Sequence, residues 1–359
     1  MSTAAAASAD EFSSRHTANF PALLQQLRAS VLVSTYQAGR LVLLRAGQDR
    51  LNTHFRRFVR PMGLAAAAGK IALGAQGEIL EFRNMPALAP RLPSATPHDA
   101  AYLLRRRHLT GAIDIHEMAY AGDGALWFVN TLFSCLCTLD DAHSFVPRWR
   151  PRFVGAYAPE DRCHLNGLGL RDGRPRYVTA LGETDTAQGW RANKRDGGVL
   201  IDLEADAVVA RGLSMPHSPR WHADRLWLLE SGRGALVTLD PHSGERRDVA
   251  RVPGFARGLD FVGPFALVGL SQLRESNAFT DIPLTDADAQ RRSGVWVVDT
   301  RSGETVALLT FTGDVREIFA VQALVGQQYP DLLHDGELLE TAYALPDAAL
   351  RETAAALRA

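Results

Sequence analysis

The stretch Cys163-His-Leu-Asn-Gly-Leu-Gly-Leu-Arg-Asp-Gly-Arg-Pro-Arg-Tyr-Val-Thr-Ala-Leu-Gly-Glu-Thr-Asp185 reads as one β-hairpin with its chemistry at one end. His164 and Asn166 open an apolar strand, Asp172-Gly173 reverses it, and a second strand from Tyr177 to Leu181 runs out at Glu183 and Asp185. Asp suits the turn because it bonds its own backbone, and Gly because it takes positive φ. Both polar clusters therefore sit at the same end of the hairpin.

The same form recurs outward in both directions. Arg60-Pro-Met-Gly-Leu-Ala leads to Lys70-Ile-Ala-Leu-Gly, Ile115-His-Glu-Met-Ala-Tyr to Ala125-Leu-Trp-Phe-Val-Asn, Pro216-His-Ser-Pro-Arg-Trp to Arg225-Leu-Trp-Leu-Leu-Glu, and Ala256-Arg-Gly-Leu-Asp-Phe to Phe265-Ala-Leu-Val-Gly-Leu. Third strands follow, as in Ala235-Leu-Val-Thr-Leu-Asp-Pro-His-Ser-Gly-Glu and Val295-Trp-Val-Val-Asp-Thr-Arg-Ser-Gly-Glu. Four-stranded units repeating every ~40 to 55 residues are the signature of a β-propeller.

Closure is legible too. Arg316-Glu-Ile-Phe-Ala-Val-Gln lacks following strands, and Val31-Leu-Val-Ser-Thr and Arg40-Leu-Val-Leu-Leu lack a preceding one, so together they make a shared blade. The expected fold is all-β, a six-bladed β-propeller closed by N- and C-terminal strands sharing one blade, which removes exposed sheet edges. Three segments follow: 1–29 with a short helix at Pro21 to Arg28, the propeller over 30–328, and a helical tail over 329–359. In that tail Leu350, Ala354 and Leu357 share a helical face behind Pro346 in a first turn.

With 359 residues, 46% hydrophobic and 22% charged, the chain has material for a large core. A formal net charge of -1 offers no general attraction to nucleic acid or an anionic membrane. Met1 to Phe12 lacks the basic start and apolar run of a secretory signal, and no segment approaches about 18 apolar residues in a row. The expected location is cytoplasmic, in keeping with three cysteines, too few and odd in number for a disulfide framework. Cys135 and Cys137, two apart in a strand, share a face and read as buried packing rather than a metal pair.

In a propeller the first strand of each blade lines the channel, and the end of the second strand shares the face where the first one starts. That face gathers His116, Glu117 and Asn130, then His164, Asn166, Glu183 and Asp185, then His217, Arg220, Glu230 and Arg233, then Arg257 and Arg274, and finally Glu317. The turns at the other end are plain. His116, Glu117, His164, Asn166, His217 and Glu317 are candidate ligands of one divalent metal of unknown identity: imidazole favours Zn, Fe, Ni or Cu, whereas Glu with Asn favours Ca, Mg or Mn. Glu117, His164 and His217 are the candidate acid or base groups, and Asn130, Glu183, Asp185, Arg220, Glu230, Arg233, Arg257 and Arg274 the candidate substrate-binding ones. Each also has a plain structural reading: a channel histidine hydrogen-bonded in place, Asn166 as turn chemistry before Gly167, Glu and Arg as a closed ion-pair ring. Motifs for a nucleophile elbow, a phosphate-binding Gly loop, a His-Glu-x-x-His helix and paired zinc cysteines are all absent.

From about Ser30 to Gln328 the chain resembles an uncharacterised bacterial family, a conserved domain of unknown function expected to form propellers. The phrases that carry this are Val33-Ser-Thr-Tyr-Gln-Ala-Gly-Arg, Asp114-Ile-His-Glu-Met, Arg162-Cys-His-Leu-Asn-Gly-Leu, Ala180-Leu-Gly-Glu-Thr-Asp, Met215-Pro-His-Ser-Pro-Arg-Trp and Leu229-Glu-Ser-Gly-Arg-Gly. A weaker likeness is to the gluconolactonase and senescence-marker six-bladed propellers, whose metal-binding asparagine Asn166 would match, with Glu117 or Glu317 as the first-strand glutamate. His217 stands where that group places an Asp, which opens an imidazole-rich alternative to a calcium-type site.

The expectation is a metal-dependent enzyme, hydrolase-, lactonase- or isomerase-like, acting on a small polar, anionic molecule at the channel mouth. The alternative is a non-catalytic module that grips a peptide or partner protein there.

Overall fold

The computed structural model describes residues 12–47, 50–272, 281–286 and 292–353. Six sheets, each built on four antiparallel strands, stand around a common axis, and each inner strand is the first of its blade. Blade 1 is the shared one: Ala320–Val325 lies innermost, followed by Ala29–Ser34, Arg40–Gly47 and Arg50–Arg57. The other inner strands are Leu64–Ala67, Ile115–Tyr120, Leu165–Arg171, Pro216–His222 and Phe255–Val262, for blades 2 to 6.

The closing strand starts later than expected. Arg316 to Phe319 form its approach rather than its first residues, because Ser271 Oγ donates to Ile318 O at 3.0 Å and Phe319 N bonds Ser34 O. Two strands outside 30–328 also join the ring. Ser14–His16 pairs antiparallel with Thr305–Phe311 on blade 6, and Pro330–Leu333 pairs parallel with Ala100–Leu109 on blade 2. Neither shows a clean alternation of apolar residues, so pattern alone passes over them.

Six apolar clusters fill the spaces between neighbouring blades. The helix Phe20–Gln26 inserts Phe20 and Leu24 between blades 6 and 1, where they are fully buried. Cys135 and Cys137 are buried side by side, Sγ to Sγ 3.5 Å, as strand spacing requires. The tail helix is short, Asp347–Glu352, with Pro346 at its N-cap rather than in its first turn. Ala354 and Leu357 lie outside the described residues. Among the described residues no helix is long and apolar enough to cross a membrane.

Two local devices position the axis. The residue just before the inner strand takes left-handed backbone in three blades, at Asp114, His164 and Met215, with φ from 46° to 52°. A hydroxyl at the end of the second strand then donates to a carbonyl of the next blade: Ser34 to Met62, Thr131 to Leu165, Ser231 to Ala256 and Ser271 to Ile318, at 2.5, 2.6, 2.5 and 3.0 Å. Inner strands also crowd one another. A Cβ on Gly63 would stand 1.9 Å from His116 O, and one on Gly167 2.1 Å from Thr179 Oγ1, so only glycine fits there.

Asp331 locks the C-terminal strand to blade 1. Its carboxylate is 2.8 Å from Arg56 Nη2 and 3.9 Å from Arg45 Nη1, with His54 and His98 beside it. Asp331→Ala leaves two guanidinium groups without that counter-charge and costs about 3 kcal/mol. A urea midpoint unchanged from wild type would rule out the cluster as a lock.

Candidate functional site

Register identifies the residues that face the axis. Ile115, Leu165 and Pro216 pair with the second-strand ends Asn130, Ala180 and Glu230, so the next residues, His116, Asn166 and His217, are equivalent in blades 3, 4 and 5. His164, expected with His116 and His217 among the ligands of one ion, does not share their position on the inner strand. It occupies the left-handed entry position one layer above, equivalent to Asp114 and Met215.

The hydrogen bonds determine where each imidazole proton resides. His116 Nδ1 is 2.8 Å from Thr131 Oγ1 and 3.0 Å from Asp114 O. Thr131 already gives its hydrogen to Leu165 O, and a carbonyl only accepts, so Nδ1 carries the proton and Nε2 the lone pair. His217 repeats this with Ser231 Oγ at 2.9 Å and Met215 O at 3.0 Å, while Ser231 donates to Ala256 O. His164 Nδ1 lies 3.0 Å from both oxygens of Asp161, which also accepts from Trp190 Nε1 at 2.9 Å. That carboxylate orients His164 and leaves its Nε2 unbonded among the described residues. The rings of His116 and His164 meet edge to face at 4.9 Å, and Trp190 covers His164 at 4.5 Å.

Arg257 supplies the charge. Its guanidinium stacks on Phe319 at 3.7 Å and is pushed down to about 10 by burial, against which Glu317 is the largest opposing influence. It stays a cation at neutral pH. Its Nη2 has no acceptor, and neither does Asn166 Nδ2, whose Oδ1 takes a bond from Thr179 at 2.6 Å. His116, Asn166, His217, Arg257 and Phe319 line a void of about 10 Å³, room for about one oxygen atom.

Other expected site residues are employed elsewhere. Glu117 accepts from Arg220 Nη2 at 2.6 Å and from Leu168 N at 3.0 Å, and Arg220 also donates to the carbonyls of Leu168 and Pro219. The expected base and the expected anion holder thus satisfy each other. Glu230, fully buried, bonds Ser214 N, Arg233 and Arg246. Glu183 pairs with Arg211 and Asp185 with Arg162, both at 2.8 Å, and Asn130 Oδ1 accepts from Phe133 N. Arg274 lies outside the described residues.

Of the six expected metal ligands, His116, Glu117, Asn166 and His217 line the same void. Among the described residues no three of His, Cys, Asp or Glu stand close enough to hold an ion. Glu117 and Asn166 spend their oxygens on neighbours, and the Arg257 guanidinium opposes a cation in the same place. A larger groove, about 430 Å³, runs past Arg171, Trp221 and Arg247 at the opposite turns, where Arg247 pairs with Glu245 at 3.2 Å and Arg171 lies over the Trp221 ring at 3.9 Å.

Asp161, Thr131, Ser231 and Phe319 escaped the sequence reading. Asp161 stands three residues before His164, and each hydroxyl directly follows a second strand; those spacings are the signals that were available.

Burial, and next the field of Arg257, hold His116 and His217 well below the ordinary imidazole range. Unfolding returns both to about 6.5, so the unfolded chain binds more protons below that pH. Their contribution to stability is whole above pH 6.5 and is lost as pH falls from there, by up to about 1.4 kcal/mol per unit for each. Urea midpoints between pH 7.5 and 5 measure this, and a slope equally steep in a His116→Asn, His217→Asn variant would assign it to other groups.

A family model described as Domain of unknown function (DUF4915) matches residues 18–333. Among solved structures, the crystal structure of a nidogen/laminin complex is similar at 12% identity and a TM-score of 0.54, covering 83% of this chain and 99% of that one. A protein of unknown function from Bacteroides caccae is similar at 11% identity and 0.49, covering 82% and 98%. No curated protein matches.

Proposed function

We propose that this chain, which belongs to the DUF4915 family of unknown function, binds a small carboxylate at the axial cluster and moves a proton with His164. The observation that carries the reading is the Asp161–His164 pair, with an unbonded Nε2, whose imidazole meets the ring of His116, a lining residue of the void that also holds a buried guanidinium with a donor to spare. Asp161 fixes the tautomer in which Nε2 is the base. In the step, the bond between hydrogen and the carbon next to the carboxylate breaks, the proton moves to His164 Nε2, and the electron pair delocalises onto carboxylate oxygens facing Arg257. Return of the proton completes an isomerase-like reaction without a co-reactant. The donor set favours an anion over a metal ion here, because Arg257 and Asn166 both offer hydrogens.

The test needs no known substrate. A mixture of small carboxylic acids is incubated with the protein in D2O, and deuterium incorporation next to the carboxylate is read by mass spectrometry. Wild type is expected to exchange at least one acid, and His164→Gln to lose about 100-fold or more of that rate. Binding that depends on Arg257 with no exchange into any acid would reduce the site to a binding module.

A further inference from the structure

We infer that the ligand of the axial cluster carries a hydroxyl beside its carboxylate, read by Nε2 of His116 and of His217. The inference rests on the carboxylate reading above and names the substrate class, a small 2-hydroxy acid. Blades 3 and 5 present the same device on two sides of the void: an imidazole whose Nδ1 hydrogen is committed to a carbonyl and to a hydroxyl that is itself already donating. Each Nε2 can only accept, and neither has a hydrogen bond among the described residues. One such histidine is unremarkable; two, in register, with Asn166 between them in the equivalent position, make a built recognition surface.

What enters must donate a hydrogen. A bare carboxylate cannot, so an acid without a hydroxyl offers neither lone pair a hydrogen. An ammonium donates, but its charge stands against Arg257. A hydroxyl supplies that hydrogen: its oxygen fits a void of about 10 Å³, it donates to one imidazole with the other in reach as the alternative acceptor, and it accepts from Asn166 Nδ2, leaving Arg257 Nη2 to the carboxylate. A site built to bond a hydroxyl discriminates strongly against the analogue that lacks it.

Calorimetric titration of the full chain with lactate, propionate and alanine at pH 7.5 tests this. In wild type lactate is expected to bind at least about tenfold tighter than propionate, and alanine more weakly than either. In a His116→Leu, His217→Leu variant lactate and propionate become equal, while propionate affinity is kept. His217→Leu alone, with the His116 imidazole and its Thr131 support intact, narrows the preference and keeps the test open if the double variant does not fold. Equal binding of lactate and propionate by wild type, or a preference that survives both variants, overturns the hydroxyl inference and leaves the carboxylate reading standing. If none of the three acids binds in a way that Arg257→Met abolishes, both fall.

Discussion

Arg257→Met is expected to abolish carboxylate binding at the axis while leaving the fold as stable as wild type or more so. The guanidinium is buried, stacked on Phe319, and holds an unbonded Nη2. A buried cation with an unused donor costs stability, and an apolar side chain of similar length relieves that cost. Proteins keep such groups where function needs them. Loss of the anion contact is expected to weaken binding by about 100-fold, the measure of a charge-assisted hydrogen bond removed from a dry site. A second consequence is independent of any ligand. Burial still depresses His116 and His217, but the field of Arg257 is gone, so both rise toward 6.5 and the acid loss of stability becomes shallower. Chemical denaturation at two pH values reads both effects. A variant destabilised by several kcal/mol would make Arg257 a structural cation, neutralised by Glu317, and the site reading would fail.

Glu230→Ala is expected to do the opposite: lower stability by about 3 kcal/mol with carboxylate binding unchanged per folded molecule. The side chain is 0% exposed and accepts from Ser214 N, Arg233 and Arg246. Its removal strands a buried backbone donor and two guanidinium groups, which retain 23% and 38% exposure and so recover part of their hydration. A lower urea midpoint at unchanged slope is the expected reading. Weakened ligand binding in the folded variant would return Glu230 to the site. The pair of substitutions separates two kinds of buried charge, one paired for structure and one held in reserve.

The candidate residues show how far local pattern reaches. His116, His217 and Arg257 were legible because each opens an inner strand, and strand periodicity with blade repetition places such positions at the axis. The role of Glu117 was not, because its partner Arg220 lies 103 residues away in sequence, in another blade. His164 looked equivalent to His116 and His217 in spacing, yet register puts Asn166 in that row and His164 above it, where Asp161 can reach its ring.

Amino-acid sequence by itself determined the ring: six hairpin units, their inner strands, and closure through a blade shared between the two ends of the chain. Those features rest on alternation, turn chemistry and repetition, all of which are local in the chain. Only the tertiary structure decided which polar side chains are spent and which are free. That outcome depends on distances between residues of different blades, and on a buried group's need to find whichever partner the packing brings within about 3 Å.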